Sequence, residues 1–275
     1  SHARYYAAGG RRAGLAHRAC VEPTEYLLPM GTSRPIMLLT GASRGIGHAT
    51  VKRFQAEGWR ILTVSRQPFS EECRWPEARE SHIQADLADP AAFGPLIEDV
   101  KSRLPDGRLH ALVNNAGISP KLPGGKRMGL LATDYASWLG VFNVNLFSIA
   151  ALANGLFEPL REAGGTIVNV TSIVGSHVHP FAGPAYACSK AALAALTREM
   201  AHEFGRSGIR VNAIAPGEID TAILSPGTED IIERQIPLRR LGSANEVADT
   251  VFFLCSQQSS YINGAEIHIN GGQHV

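Results

Sequence analysis

The sequence predicts a doubly wound α/β fold in which a parallel sheet of about seven strands lies in a single domain. Short apolar runs, which suit buried strands, alternate with longer stretches that suit helices. The first run, Ile36–Leu39, leads into a glycine-rich turn. The chain has 275 residues, of which 44% are hydrophobic and 19% charged, so it can bury a large core. Alternation of this kind produces a parallel sheet with helices on both faces.

The domain boundary is predicted near residue 34, with an N-terminal extension over 1–34 and one domain over 35–275. The extension contains a Gly9-Gly10 pair and the arginines Arg4, Arg11, Arg12 and Arg18, but no long apolar core. A secretory signal is therefore not indicated. An organelle transit peptide is one interpretation of this arginine-rich start. We favour the hypothesis that native translation begins at Met30, because the first α/β unit follows directly.

Seven strands and five helices account for most of the predicted domain. The predicted strands are Ile36–Leu39, Arg60–Ser65, His82–Ala85, Leu109–Val113, Thr166–Val170, Ile209–Ile214 and Glu266–Ile269. The predicted helices run from the glycine turn to about Glu57, from about Pro90 to Leu104, from about Asp134 to Arg161, from Tyr186 to Phe204 and from Ala244 to Cys255.

Composition argues against several classes of protein. Lys and Arg number 26 against 25 Asp and Glu, and no long basic run is present, so we expect no nucleic-acid partner. The sequence has no uninterrupted run of 18 apolar residues, so it gives no indication of a membrane span. The four cysteines, Cys20, Cys73, Cys188 and Cys255, form no CxxC pair and show no metal-ligand spacing with histidine. We therefore expect reduced thiols, no metal and a cytoplasmic location.

The glycine-rich turn is the first candidate for ligand binding. Its order is Gly41-Ala42-Ser43-Arg44-Gly45-Ile46-Gly47, and a predicted helix follows. Glycines at such a turn let the backbone approach a pyrophosphate, whose charge the helix N-terminus favours. The spacing differs from the standard G-x-G-x-x-G fingerprint, so this turn taken alone is equally compatible with a purely structural role.

The end of the second predicted strand bears on the choice of cofactor. Dinucleotide folds that prefer NAD place an acidic residue near this position, whereas an arginine accommodates the 2′-phosphate of NADP. Here the strand ends in Ser65-Arg66 without an acid, and Arg44 can supply a second positive charge. These residues favour NADP over NAD, although either arginine could simply be solvated.

A tyrosine and a lysine open the alanine-rich helix. Tyr186 and Lys190 are four residues apart, so a helix places both side chains on one face. A free tyrosine has a pKa of about 10, and a neighbouring cation is expected to lower that pKa. The pair could supply proton transfer, although Tyr-x-x-x-Lys alone also occurs on solvated helix faces.

Taken together, the motifs resemble those of the classical short-chain dehydrogenase/reductase family, which has a Rossmann-type fold. The resemblance covers about Ile36 to Gly272 and includes the Asn114-Asn115-Ala116-Gly117 motif after the fourth strand. It implies a catalytic set that consists of Asn145, Ser172, Tyr186 and Lys190. The cofactor-binding residues that we predict, partly from this resemblance, are Gly41, Ser43, Arg44, Gly45, Ile46, Gly47, Ser65, Arg66, Asp86, Leu87, Asn115, Ala116, Gly117, Tyr186, Lys190, Pro216, Gly217, Ile219 and Thr221.

The mechanism can be argued from the residues as well. When a hydride reaches a carbonyl carbon, the oxygen needs a hydrogen bond and then a proton. Tyr186 is the natural proton donor, and Ser172 at a strand end can hold the oxygen. The resemblance further implies that Lys190 bonds the nicotinamide ribose and that Asn145 anchors a water in a proton relay.

These arguments predict an NADP-dependent oxidoreductase that acts on a ketone or secondary alcohol. A 3-oxoacyl-[acyl-carrier-protein] reductase is the alternative with the same site, and a non-catalytic cofactor-sensing protein is a remote one. The family is usually dimeric or tetrameric, so we expect a homo-oligomer and favour a homotetramer.

Two further segments suggest how substrate is bound. Residues 225–241 resemble the mobile substrate-covering region of the family. His177, His179, Lys121, Lys126 and Arg127 lie in loops that follow strands. We hypothesise that at least one of these groups faces a substrate with a carboxylate, a phosphate or several hydroxyls. The alternative is that the lysines are solvated and the histidines pack structurally.

Overall fold

The computed structural model describes residues 34–68, 77–221 and 228–275. Apart from Arg34, the predicted N-terminal extension lies outside the described residues, as do Cys20 and Cys73. The strands are β1 (Ile36–Thr40), β2 (Arg60–Ser65), β3 (His82–Gln84), β4 (Ala111–Asn114), β5 (Thr166–Val170), β6 (Arg210–Pro216), β7 (Ile219–Asp220), β8 (Gly242–Ser243) and β9 (Glu266–Ile269). The α-helices are α1 (Gly45–Ala56), α2 (Phe93–Ser102), α3 (Tyr135–Phe142), α4 (Ser148–Gly155), α5 (Phe157–Ala163), α6 (Pro184–Gly205), α7 (Thr228–Gln235) and α8 (Ala244–Cys255).

Among the described residues, seven strands form one parallel sheet in the order β3-β2-β1-β4-β5-β6-β9. The strand order turns back between β1 and β4, as in a doubly wound sheet. The predicted fold class is therefore confirmed. This topology brings the loops that follow β1, β4, β5 and β6 to the same edge of the sheet.

The core consists of two apolar layers, one on each face of the sheet. Side chains alternate between faces along a strand, so Leu38 of β1 joins one layer and Leu39 the other. The first layer includes Leu152 of α4 and Leu193 of α6. The second includes Val51 of α1, together with buried residues of α8. This covering on both faces explains why the strands are apolar throughout.

The prediction of one continuous helix from about Asp134 to Arg161 is wrong. This region consists of α3, a π-helical turn at Asn143–Phe147, α4 and α5. The amide of Asn145 lies within the π turn, where it contacts a neighbouring loop rather than following a regular helix face. Such turns occur frequently at functional sites, and helical periodicity does not reveal them.

The segment Tyr135–Gly155 is long and apolar enough to cross a membrane by length and composition, with a mean hydropathy of 1.5. Its buried side chains include Val141, Val144 and Leu152. Val144 and Leu152 belong to the core layer that also contains residues of the sheet. This packing is typical of a core helix in a globular domain, which passes the same length and composition test.

The region after β6 contains elements that the sequence did not predict. The short strand β7 pairs in parallel with β8, so Ile219 lies opposite Gly242. The substrate-covering segment predicted over 225–241 includes α7, while residues 222–227 lie outside the described part of the chain. Its mobility stays a prediction.

Candidate active site

Tyr186 and Lys190 lie one turn apart near the start of α6. Pro184 occupies the first turn of this helix, a position at which proline suits helix initiation. Lys190 is only 3% exposed, and its Nζ donates a hydrogen bond to the Val170 carbonyl oxygen at 2.6 Å. The same Nζ is 5.7 Å from the centre of the Tyr186 ring. The end of β5 therefore fixes the ammonium beside the phenol.

Burial changes the proton affinities of both groups. It lowers the pKa of Lys190 to about 8, because the charged form loses hydration. Burial raises the pKa of the Tyr186 phenol, and the hydrogen bond with Ser172 opposes this rise. The sequence argument that Lys190 lowers the tyrosine pKa is therefore wrong, since the loss of hydration on burial has the largest effect on this pKa and raises it. At neutral pH the phenol holds its proton and is ready to donate it.

Ser172 lies two residues beyond the end of β5, where its side chain caps a short 3-10 helix over Ile173–Gly175. The Val174 amide donates to the Ser172 Oγ at 3.3 Å. The serine hydroxyl also forms a hydrogen bond with Tyr186. Two side chains that can hold one carbonyl oxygen therefore lie together at the carboxyl edge of the sheet.

Asn145 is fully buried, and its amide connects three parts of the site. Its Oδ1 accepts a hydrogen bond from the Ile118 amide at 2.9 Å, and its Nδ2 donates to the Ile118 carbonyl at 3.0 Å. The Nδ2 also donates to Ser189 Oγ at 3.0 Å, and that hydroxyl donates to the Tyr186 carbonyl at 2.8 Å. Asn145 thus holds the loop after β4 against the first turn of α6.

The glycine turn and the Asn-Asn-Ala-Gly motif are bonded to each other. Thr40 Oγ1 accepts hydrogen bonds from the amides of Asn115 at 3.1 Å and Ala116 at 3.0 Å. The Asn115 side chain donates to the Gly41 carbonyl at 2.8 Å. A Cβ at Gly47 would lie 2.1 Å from the Gly41 oxygen, so only glycine fits there. These contacts fix the glycine turn against the Asn-Asn-Ala-Gly motif.

The N-terminus of α1 follows this turn. Arg44 occupies the capping position, and no side chain of the described residues caps the helix there. The amides of Gly45 and Ile46 begin a helix of 12 residues, so their donors and the helix dipole suit a pyrophosphate. Ser43 precedes Arg44 in the turn, and both residues are exposed. The residues present therefore fit the diphosphate part of a nicotinamide dinucleotide.

The predicted adenosine end lies at the ends of β2 and β3. Arg66 is exposed beside Ser65, and its carbonyl accepts from Gln84 Nε2 at 3.2 Å. Among the described residues, no carboxylate pairs with Arg66 or Arg44. Asp86 accepts from the Ala88 amide at 2.9 Å through its Oδ1, which fixes the loop after β3. The Leu87 side chain is buried in the core, so the backbone is the part of this residue left for a ligand.

The predicted nicotinamide side begins at Pro216, the last residue of β6. A Cβ at Gly217 would lie 2.6 Å from Asn270, so the chain passes closely over the segment after β9. Thr221 lies over the glycine turn, since its Cγ2 is 3.3 Å from the Cβ position of Gly45. Ile219 lies between Gly217 and Thr221 in β7.

Gly117 lies beside two of the predicted catalytic residues. A Cβ at Gly117 would be 3.4 Å from Lys190 Nζ and 3.5 Å from Asn145 Oδ1. The predicted catalytic and cofactor-binding residues thus converge on one edge of the sheet.

The lysine, arginine and histidine residues that were considered as substrate contacts lie in different surroundings. Lys121 and Arg127 donate to the carbonyls of Phe181 and Ala182, so they join the loop after β4 to the loop before α6. His177 contacts the hydroxyl of the adjacent Ser176 at 2.9 Å. Lys126 is exposed. His179 contacts Glu218, an acid that the sequence analysis did not select.

A small recess adjoins Tyr186 and is largely apolar. Pro120 and Met128 line it from the loop after β4, and Val141 lines it from α3. Hydrophobic walls with a few polar groups are typical of sites for small molecules. Its volume of about 10 Å³ has room for about one water-sized group, so in this structure the recess marks an apolar wall beside Tyr186.

Sequence reasoning missed two side chains of the site. Ser189 bonds both Asn145 and the Tyr186 carbonyl, although it lies inside the Tyr-x-x-x-Lys motif. Glu218 directly follows Pro216-Gly217. The sequence feature that could have identified it was an acidic residue in a loop with few other charges. Asn145 is 44 residues from Ser189 in sequence, and His179 is 39 residues from Glu218, so neither of these two contacts could be deduced from spacing.

Comparison with known proteins gives three relevant findings. A family model described as enoyl-(acyl carrier protein) reductase matches residues 41–274. Protein FixR of Bradyrhizobium diazoefficiens is 58% identical over 241 residues, which are 87% of each chain. The 3-oxoacyl-[acyl-carrier-protein] reductase FabG of Staphylococcus epidermidis is 35% identical, over 86% of this chain and 98% of FabG.

A solved structure supports the same relationship. An oxidoreductase of the short-chain dehydrogenase/reductase family from Brucella ovis, in complex with a partially ordered NAD, matches with a TM-score of 0.76. It is 58% identical, and the match covers 86% of this chain and all of that one. The resemblance predicted from the motifs is confirmed. This chain belongs to the short-chain dehydrogenase/reductase family of nicotinamide-dependent oxidoreductases.

Proposed function

We propose that the chain is an NADP-dependent enzyme that interconverts a ketone and a secondary alcohol. The observation that carries this proposal is the half-buried Tyr186 phenol, which lies beside Ser172 and the buried Lys190 ammonium. A group that retains its proton in an enclosed site suits donation to a developing alkoxide. When bound, the cofactor supplies or accepts the hydride.

Each side chain has a distinct role in this proposal. Ser172 holds the substrate oxygen by a hydrogen bond, and Tyr186 donates its proton to that oxygen during reduction. Lys190 stabilises the phenolate that remains, because its ammonium is held beside the ring by Val170. Asn145 keeps the loop after β4 in place, and the family resemblance adds a relay water at its amide. In the oxidation direction the proton moves the opposite way.

NADP is the preferred cofactor in this proposal, and the exposed arginines support it. Arg44 and Arg66 flank the predicted adenosine end, and β2 ends in Ser65 without an acid. A 2′-phosphate is recognised by such cations, whereas the ribose of NAD is held by an acid. The Brucella ovis relative was crystallised with NAD, so the preference has to be measured on this chain.

The test is a screen of cofactor oxidation. Purified protein is mixed with NADPH or NADH and a set of ketones, sugars and acyl thioesters, and absorbance at the reduced nicotinamide band is followed. We expect oxidation of NADPH with a simple ketone and slower oxidation of NADH. Absence of turnover with all carbonyl classes and both cofactors would contradict the proposal, whereas faster NADH oxidation would contradict the NADP preference alone.

A second candidate function is reduction of 3-oxoacyl groups on an acyl carrier protein. The similarity to FabG favours it. A carrier-linked substrate must dock through an acidic protein surface, so this function predicts much higher activity on the carrier-linked thioester than on the free thioester. Cofactor binding without turnover on any substrate would instead support a cofactor-sensing protein.

We also propose a cytoplasmic homo-oligomer, with a homotetramer favoured. Exposed apolar side chains on the α3 and α4 region support it, since Leu139 is 40% and Phe147 46% exposed. Light scattering during size-exclusion chromatography measures the number of subunits directly. A monomer at micromolar concentration would contradict this part of the proposal.

A further inference from the structure

A half-buried acid lies beside a histidine in the loops above the site. Glu218 follows Pro216-Gly217, and His179 belongs to the loop between Ser172 and Tyr186. His179 Nε2 and Glu218 Oε1 are 2.7 Å apart, and the two side chains are only 11% and 16% exposed. An enclosed contact of this length is a defined feature of the site, in contrast to a solvated surface pair.

The second ring nitrogen of His179 determines how the pair is charged. The Phe181 amide donates a hydrogen bond to His179 Nδ1 at 3.3 Å. A ring nitrogen that accepts a hydrogen bond has no proton, so the proton of the imidazole is on Nε2. His179 is therefore a neutral donor to Glu218 Oε1. It orients the carboxylate without neutralising its charge.

Other charges leave this carboxylate only partly compensated. Lys121 attracts it electrostatically, but the Lys121 ammonium donates to the Phe181 carbonyl. Among the described residues, Glu218 Oε2 has no hydrogen-bond partner, although a carboxylate oxygen can accept two hydrogen bonds. Because the side chain is not fully buried, this oxygen can be reached and bonded by water or by a ligand.

Glu218 lies between the two halves of the proposed reaction site. Ile214 of β6 pairs with Val170 of β5, so β6 ends at the level of Ser172 and Glu218 follows two residues later. Three residues further along, Thr221 lies over the glycine turn. The acid is thus carried by the segment that joins the cofactor turn to the region of the proton donor.

The geometry points to Glu218 as a specificity-determining residue that accepts a hydrogen bond from a donor group of the substrate, either an ammonium or a hydroxyl near the reacting carbon. This assignment rests on the proposed function for the identity of that carbon. His179 is a positioning residue that acts through Glu218. The same negative charge disfavours a substrate carboxylate or phosphate, so the anionic substrate considered from the sequence is the less suitable class.

The test uses four small alcohols that differ at one end: 1-amino-2-propanol, 1,2-propanediol, 2-butanol and lactate. Each is titrated calorimetrically into protein saturated with reduced cofactor, which cannot accept a hydride from an alcohol, so the heat reports binding without turnover. We expect the amino alcohol or the diol to bind at least about tenfold more tightly than 2-butanol, because a hydrogen bond to a charged group is among the stronger ones. Lactate should bind more weakly than 2-butanol.

Variants identify the donor and the residue. In Glu218→Gln, which keeps an acceptor but removes the charge, a preference for the ammonium should fall to within about threefold of 2-butanol, whereas a preference for the hydroxyl should persist. Glu218→Ala should remove both preferences. His179→Ala should weaken the preference and His179→Gln, which keeps a donor, should restore it. Glu98→Gln removes a carboxylate whose side chain is 73% exposed and serves as the matched control.

Three outcomes would overturn the assignment. The first is no preference for either donor probe in the parent, including no binding of the amino alcohol and the diol up to their solubility limits. The second is a preference that is unchanged in Glu218→Ala. The third is an equal loss of affinity for all four probes in Glu218→Ala, which indicates a purely structural role. A parallel assay with the matching ketones and reduced cofactor tests the proposed function separately. Donor selectivity without turnover would contradict the proposed enzymatic function but support the Glu218 assignment. Turnover without donor selectivity would support the enzymatic function but contradict the Glu218 assignment.

Discussion

The site contains two regions that use positive charge in opposite ways. At the proton-transfer end, Lys190 is 3% exposed and is bonded to the Val170 carbonyl. At the adenosine end, Arg44 and Arg66 are exposed and pair with no carboxylate of the described residues. Enclosure changes the pKa of the first cation, whereas the exposed cations retain their hydration. A buried charge can therefore alter chemistry and stability, while exposed charges mainly tune ligand choice.

The largest expected effect is that of Tyr186→Phe, which tests the enclosed end directly. The substitution removes the proton donor and leaves the ring, so kcat should fall by about 10²- to 10⁴-fold. Cofactor affinity, measured by fluorescence titration, should change little. A variant that retains more than about a tenth of the parent kcat, with chemistry rate-limiting, would contradict the assignment.

Lys190→Met tests how strongly enclosure acts on the ammonium. The pKa of Lys190 is about 8 when folded and 10.5 as the ordinary value. Between these values the unfolded chain binds the proton and the folded chain does not, so stability rises with pH from about 8 to 10.5. The difference corresponds to about 3 kcal/mol, to order of magnitude.

Methionine has no proton to bind, so the variant should lack this part of the pH dependence. Urea unfolding without cofactor, at pH 7 and pH 10, measures it. We expect the variant to gain stability relative to the parent at pH 7 and to lose that advantage at pH 10. The same pH dependence in both proteins would show that folding does not lower the pKa of Lys190.

Asn145→Ala tests the connection between the two sides of the enclosed end. It removes the two hydrogen bonds between Asn145 and the Ile118 backbone, and hydrogen bonds of this kind contribute about 0.5–1.5 kcal/mol each. The free energy of unfolding should fall by about that amount, and kcat should fall as well. Asn143→Ala is a control from the same π turn, because its side chain bonds the Ala88 carbonyl instead. Equal effects of the two substitutions on kcat would contradict a specific role for Asn145.

Arg66→Ala should produce the smallest effect because the side chain is exposed. Loss of a charge-assisted bond to the 2′-phosphate should weaken NADPH by about tenfold, with little change for NADH. The loss should shrink at high salt, since exposed charges are screened. Arg108→Ala removes an exposed arginine before β4, at the other end of the strand, and serves as the control. Equal weakening of both cofactors in Arg66→Ala would argue against NADP recognition.

Much of the fold could be predicted because it depends on local signals. β2, β5 and β9 were predicted with the bounds that the structure shows, since each is an apolar or β-branched run between turn residues. The alternation of these runs with helices then determined the sheet class. The error was the helix over 134–161, because its apolar content continues through a π turn and a break before α5.

The sequence by itself determined which side chains are available: a tyrosine and a lysine one helical turn apart, a glycine turn after the first strand, and a strand that ends without an acid. Only the tertiary structure decided how those groups behave. Burial raises the pKa of Tyr186, although the sequence suggested that Lys190 would lower it. Likewise, His179 meets Glu218 across 39 residues of sequence. Both results depend on hydration and on distances between loops, which spacing along the chain does not specify.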